Sequence, residues 1–197
     1  VLDCRDAAYK MTNGLASGYF YSSTDSDLME ELINRHGVEA EVAATNYTHP
    51  EMVQYQCTDW DFLVARAQAN GMVVKVENGK VSVFKPDPAQ NSVAEVAFGN
   101  NIMEFDAEMD GRNQVPGVAS YSWNPADQEM IKATASNPGF NLNGNLSSDK
   151  LSDLMKLDSI ELKNGGNIAD VLLQDWADSK WMFQQLAKTR GRVKIQG

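Results

Sequence analysis

An α+β fold built mostly from antiparallel strands is the class this 197-residue sequence predicts. Three observations carry that expectation. Two segments, near 26–36 and 59–70, combine acidic or capped starts, 3.6-period apolar stripes and glycine stops, which is how amphipathic helices read. Between Met72 and Phe84 two valine-rich runs flank Asn78-Gly79, the dipeptide of a tight hairpin. The remaining strand-like runs are joined by hairpin-like and irregular stretches rather than by regular strand–helix–strand units, which disfavours a doubly wound parallel sheet.

Taken in order, Val1 to Arg5 and then Tyr19-Phe20-Tyr21 read as extended segments. From Asp25 to Gly37 a helix is expected, with Leu28, Leu32 and either Met29 or Ile33 on one stripe. Asp25, Asp27, Glu30 and Glu31 favour its positive N-terminal end, and Arg35 and His36 its C-terminal end. Val38 to Ala43 is a weakly alternating strand. Thr58-Asp59-Trp60-Asp61 has the form of a capping box and opens a second helix with Trp60, Leu63, Val64 and Ala67 inward, ending at Asn70-Gly71. Closing the hairpin at Asn78-Gly79 pairs Glu77 with Lys80, Val76 with Val81, Lys75 with Ser82 and Val74 with Val83, so that charges oppose and valines share a face.

Pro86-Asp87-Pro88 ends that unit, and a domain boundary is expected near Lys85 to Asn91, dividing the chain into 1–88 and 89–197. In 102–109, Met103, Phe105, Ala107 and Met109 alternate with Glu104, Asp106 and Glu108, the pattern of a half-buried strand. Strands at 118–123 and 128–133 are expected beside it, with a surface loop over 136–148 and a short helix at 148–155. A long helix follows over 168–188, its stripe formed by Val171, Leu172, Trp176, Phe183 and Leu186 or Ala187, leading into a strand at Arg192. Both chain ends read like strand interiors, so the chain is expected to be excised from something longer. No repeat of fixed period is apparent.

Composition narrows the function classes. Apolar residues make up 43% and charged residues 22%, as in a globular domain large enough to bury a core without staples. The formal charge of -10 argues against nucleic acid as the main partner, since a phosphate backbone requires a positive surface. The balance reverses from Trp176 to Gly197, where five basic residues meet one acidic residue. No run approaches the roughly 20 apolar residues of a membrane span. Cys4 and Cys57 do not form a CxxC pair; the residues leave one bridge between them open, but two free, mostly buried thiols are the commoner state and the expectation.

Sites that carry chemistry are not expected. His36 and His49 have no ligand-spaced partners, and no nucleotide-binding, serine-hydrolase or zinc-protease motif occurs. No catalytic, cofactor-binding or metal residues are therefore assigned. The strongest enzymatic pattern is the row Glu104, Asp106, Glu108 with Asp110, since neighbouring carboxyls can divide acid and base roles. Its alternation with apolar residues is already explained by a solvated or channel-facing sheet face. Trp60 and Trp176 read as core residues, whereas Trp181 falls off the stripe and suits a contact with another element or an oligomer interface.

The run Asn46-Tyr47-Thr48-His49-Pro50-Glu51-Met52-Val53-Gln54-Tyr55-Gln56-Cys57-Thr58-Asp59-Trp60-Asp61-Phe62-Leu63, continuing to Ala69-Asn70-Gly71-Met72, resembles the signature of VgrG and Vgr-type proteins. These are spike-and-hub proteins of type VI secretion and related contractile injection systems, kin of phage late control protein D and phage baseplate hubs. Residues Cys4 to Thr12, Phe105 to Asp110, Tyr121 to Pro125 and Ala177 to Gly197 extend the similarity over nearly the whole chain.

The resemblance implies barrel-like β domains of the baseplate-hub type with helical insertions. Residues 1–88 would hold the end of a first barrel with a helical and hairpin insertion, and 89–197 a second barrel-like region cut before the spike. It further implies structural work without catalysis or cofactor: a homotrimer in the full-length parent, contacting tail tube protein, baseplate proteins and spike tip or effectors, with no nucleic acid and no stable membrane anchor. Such a protein is assembled in the cytoplasm and then delivered with the apparatus or virion. Two other classes stay open on the residues alone. A carboxylate-dependent hydrolase requires the acids in a concave pocket with a raised pKa. A monomeric carbohydrate- or peptide-binding module requires an exposed aromatic platform.

Overall fold

The computed structural model describes residues 4–88, 90–92, 94–138 and 145–195. The chain divides into two compact units, Val1–Pro86 and Asp87–Gly197.

The first unit opens with a short 3-10 helix, Ala7–Thr12, capped by Asp6. It continues through β1 (Ala16–Thr24), α1 (Asp25–Asn34), β2 (Glu39–Val42), β3 (Thr48–Cys57), α2 (Asp59–Ala69), β4 (Val73–Glu77) and β5 (Lys80–Phe84). Strands β1 and β3 pair antiparallel. In the other sheet β5 is central, antiparallel to β4 and parallel to β2.

Local chemistry explains both helices. Thr24 and Thr58 each accept a hydrogen bond from the amide three residues on, from Asp27 at 3.1 Å and Asp61 at 3.0 Å. Asp27 returns a full capping box, accepting from the Thr24 amide. Asp61 instead accepts from the Thr58 hydroxyl at 2.7 Å. All four stripe candidates of α1 are buried, and Leu63 and Ala67 of α2 meet them together with Met11, Phe20, Val81 and Val83. Each fully buried Leu, Ile or Met side chain here is worth about 1.5–3 kcal/mol of transfer free energy. The hairpin adopts the register expected of it, and Asn78 (φ 51°) and Gly79 (φ 80°) supply the two positive φ angles of a type I′ turn.

The second unit contains β6 (Ile102–Met109), β7 (Val118–Asn124), β8 (Glu129–Thr134), α3 (Ser148–Met155), β9 (Ile160–Asn164), α4 (Asp170–Leu186) and β10 (Thr189–Ile195). Strand β7 is flanked by antiparallel β8 and parallel β9. Val115, Val118, Ala135, Ala177 and Trp181 form its core, with Leu157, Ile160 and Leu162 against them. Strands β6 and β10 make a separate antiparallel ribbon.

Several expectations are corrected. The barrel-like architecture is not present: among the described residues the strands form four sheets of only two or three strands, and none closes on itself. Closing a sheet into a barrel takes more strands, about eight in the small barrels known. The sheets are also mixed, with parallel pairs β2–β5 and β7–β9 beside the four antiparallel pairs. Strand β7 pairs with β8 and with β9, and neither β7 nor β8 pairs with β6. Cys4 and Arg5 lie in no strand, and residues 1–3 fall outside the described residues, as do 139–144 of the expected 136–148 loop and 196–197 of the C-terminal strand. The inward stripe of α4 is Leu173, Ala177, Trp181 and Gln185, while Val171 is exposed. Gln185 and the following Lys188 are buried through bonds to Asn137 and to the Leu146 carbonyl, so polar residues occupy the face that an apolar pattern would mark.

Candidate assembly surfaces and the buried carboxylate network

The acidic row lies on the β6–β10 ribbon. Glu104, Asp106 and Glu108 stand directly opposite Lys194, Arg192 and Arg190. Glu104 accepts from Lys194 Nζ at 2.8 Å. One face of the ribbon thus sets acids against bases across the two strands, with the Glu104–Lys194 ion pair formed. Asp110, just beyond β6, is held by Arg112, whose side-chain and backbone N–H groups bring its carboxyl down to about 2.

The opposite ribbon face is apolar, and here the half-buried expectation fails. Phe105 and Met103 are each 62% exposed, and Met109, Val193 and Ile195 are exposed beside them. An isolated two-stranded ribbon is at best marginally stable in water. A contiguous apolar face of this kind marks a surface that works covered.

A second uncovered surface is the outer face of β1–β3. Phe20, Met52 and Gln54 point into the core, while Tyr19, Tyr21, Val53 and Tyr55 point out. The Tyr19 and Tyr21 rings stack 6.3 Å apart at 10°. The expected aromatic segment at 19–21 is therefore split by the period of the strand, one ring inward and two outward.

The best-organised polar groups are inside the first unit. Asp25, 1% exposed, accepts from Arg66 Nε at 2.6 Å and Arg66 Nη2 at 2.9 Å, from Asn70 Nδ2 at 2.9 Å and from His49 Nε2 at 3.0 Å. Burial pushes this carboxyl up, but the Arg66 bonds and charge, with Asn70 and His49, outweigh it and leave it below the usual range. Asp59 accepts from Gln54 Nε2 and His36 Nε2, both at 2.8 Å. Burial again opposes, and the Gln54 and His36 bonds with the nearby Arg35 charge again prevail. Ionised carboxylates require the proton on Nε2 of both histidines.

This network is built for stability. A general base works best with a pKa near the operating pH. Asp25 and Asp59 are shifted the other way, and Asp25 has its oxygens occupied. His49 lies in β3, buried and edge-on to Tyr47 at 4.9 Å. Trp60 packs against the first core, Trp176 is half-buried, and Trp181, expected off the stripe, belongs to the second core. Among the described residues no group of three or more His, Cys, Asp or Glu side chains is arranged to hold a metal ion. No described helix is long and apolar enough to cross a membrane.

Solved structures place this fold among phage tail proteins. The 43 kDa tail protein of prophage MuSo2 from Shewanella oneidensis superposes over 98% of the chain with a TM-score of 0.67 and 12% identity. The tail protein from Neisseria meningitidis MC58 covers 95% at 0.61 and 15% identity, and prophage tail protein gp18 from Listeria monocytogenes EGD-e covers 95% at 0.51 and 12% identity. The chain spans 57%, 55% and 56% of those proteins, a little over half of each. No curated protein matches it. The family model described as Alg8 N-terminal domain matches residues 1–197, and the chain belongs to that family.

Proposed function

We propose that this chain is a non-catalytic structural part of a contractile injection apparatus or phage tail, the hub region of a VgrG-type spike protein that joins the tail tube to the spike. The observation that carries this reading is the likeness to a phage tail protein over 98% of the chain. Every expected partner follows from that role: two further copies of the parent, tail tube and baseplate proteins on one side, spike tip and effectors on the other. Assembly takes place in the cytoplasm, before delivery with the apparatus. The exposed apolar face of β6–β10 and the tyrosine face of β1–β3 are the surfaces that such a neighbourhood would cover.

The test is incorporation. Particles purified from cells producing the parent protein should contain it at the junction of tube and spike in electron micrographs. Parent protein bearing Phe105→Ser and Met103→Ser should stay soluble yet be missing from the particles. Particles that form normally without the parent would overturn the reading.

A second reading is favoured by one observation, the stacked and exposed Tyr19 and Tyr21 beside Tyr55, which is 76% exposed. This is the aromatic platform that a carbohydrate- or peptide-binding module requires. Saturable binding of a soluble oligosaccharide, abolished by Tyr21→Ala, would favour it over the structural role.

A further inference from the structure

We infer that the first unit is an internal duplication: two copies of one strand–helix–strand element, offset by 34 residues, face each other about a local twofold axis and are locked by a reciprocal pair of helix-end clasps. This inference is independent of the function proposed above.

The offset is fixed by conformation more than by identity. Adding 34 carries Asp25, the start of α1, to Asp59, the start of α2, and Glu39, the start of β2, to Val73, the start of β4. It carries the N-caps Thr24 to Thr58 and the first-turn residues Asp27 to Asp61, which make the same amide-to-hydroxyl bonds. Ser22, with φ 50°, becomes Gln56, with φ 44°. Positive φ is uncommon outside glycine, and here it recurs two residues before each cap. Gly37 (φ 69°) becomes Gly71 (φ 68°), and each turns the chain out of its helix toward the next strand. The buried Asp25 becomes the buried Asp59.

The pairing geometry obeys the same operation. A twofold axis passing between β1 and β3 at right angles to both strands makes them antiparallel, as they are. It also requires β2 and β4 to run in opposite directions. They flank β5, one parallel and one antiparallel to it. The side chains complete the relation. His36, after α1, donates to Asp59 at the start of α2. Asn70, after α2, donates to Asp25 at the start of α1. His36 and Asn70 are themselves 34 apart, so each copy clasps the other with the same position. Such reciprocity is the mark of a twofold contact. Arg66 and His49 on Asp25, against Gln54 on Asp59, are where the copies have diverged.

The clasp predicts interchange. In the full chain, the exchange variant His36→Asn with Asn70→His keeps a donor at both positions. It should melt within about 3 °C of the parent, whereas His36→Ala with Asn70→Ala should lose roughly 4–8 °C or more. Hydrogen exchange gives a second readout. His36→Ala should speed amide exchange at the N-terminal turn of α2, and Asn70→Ala at that of α1. An exchange variant as damaged as the alanine pair, or faster exchange confined to the helix that carries the substitution, would overturn the duplication as a functional lock. If the alanine pair fails to fold, the exchange variant compared with the parent decides alone.

Discussion

Arg66 grips Asp25 with two parallel hydrogen bonds, of 2.6 and 2.9 Å, across 41 residues of sequence. The pair ties the end of α2 to the start of α1, and it sits where Asp25 is almost wholly removed from water. Removing one partner of such a pair strands the other charge, at a cost of about 3–5 kcal/mol. Arg66→Ala should lower stability by this amount. Glu31→Ala, which breaks the exposed pair with Arg35 one helical turn on and leaves Arg35 in place, should cost no more than about 0.5 kcal/mol. Urea unfolding of both variants checks the contrast, and similar midpoints for the two would contradict it.

Acid should unfold the first unit through the same carboxylates. Asp25 and Asp59 are held below their ordinary pKa in the folded chain, so the unfolded chain takes up their protons first as pH falls. Their stabilising contribution is complete above the unfolded carboxyl range. It is lost as pH drops below about 4 toward the lower folded values. Urea midpoints between pH 7 and pH 2 should be level at first and then fall. A midpoint that rises through this acid range would contradict the assignment.

The Asn78-Gly79 turn gives a backbone test free of packing. Gly79 has φ 80°, and a Cβ there would meet nothing within 4 Å. Any loss in Gly79→Val therefore reports conformational strain, roughly 1–3 kcal/mol. The Gly79 amide should keep its bond to Asp6 Oδ2, now at 2.9 Å, if only the turn is strained. An unchanged denaturation midpoint would count against the assigned turn.

On the β6–β10 ribbon the two faces should behave differently. Glu104→Gln removes one exposed ion pair with Lys194 and should change stability by less than about 1 kcal/mol. Phe105→Ser removes exposed apolar surface, so it should leave the fold of the isolated chain intact and raise its solubility. Circular dichroism and solubility measurements check both. Unfolding by Phe105→Ser would mean that this face is already covered within the chain.

What the sequence made legible was local. The caps at Thr24 and Thr58, the glycines after α1 and α2, and the facing charges of Glu77 and Lys80 each act within a few residues. The helices and the hairpin register could therefore be read directly. The stripe of α4 was misread because Gln185 and Lys188 are buried polar groups, satisfied by loop partners that no periodicity marks. Alternation in β6 correctly separated acidic from apolar residues, yet said nothing about whether either face is covered. The Asp25 cluster joins β3 and α2 to α1 across 24 to 45 residues, and Asp25 alone looks like an ordinary first-turn acid. The duplication hid for a related reason: its copies share conformation and contacts at matched positions but few residue identities. The barrel came from family resemblance rather than from the residues, and four small sheets replace it.

The mass of the particle formed by a longer protein, in which this chain is followed by the proposed spike, tests the proposed structural role most directly. Static light scattering at micromolar concentration should give three times the protomer mass for that longer protein, and the mass of a monomer or weak oligomer for residues 1–197 alone, because association requires a substantial complementary surface. A longer protein that remains monomeric would contradict the hub reading.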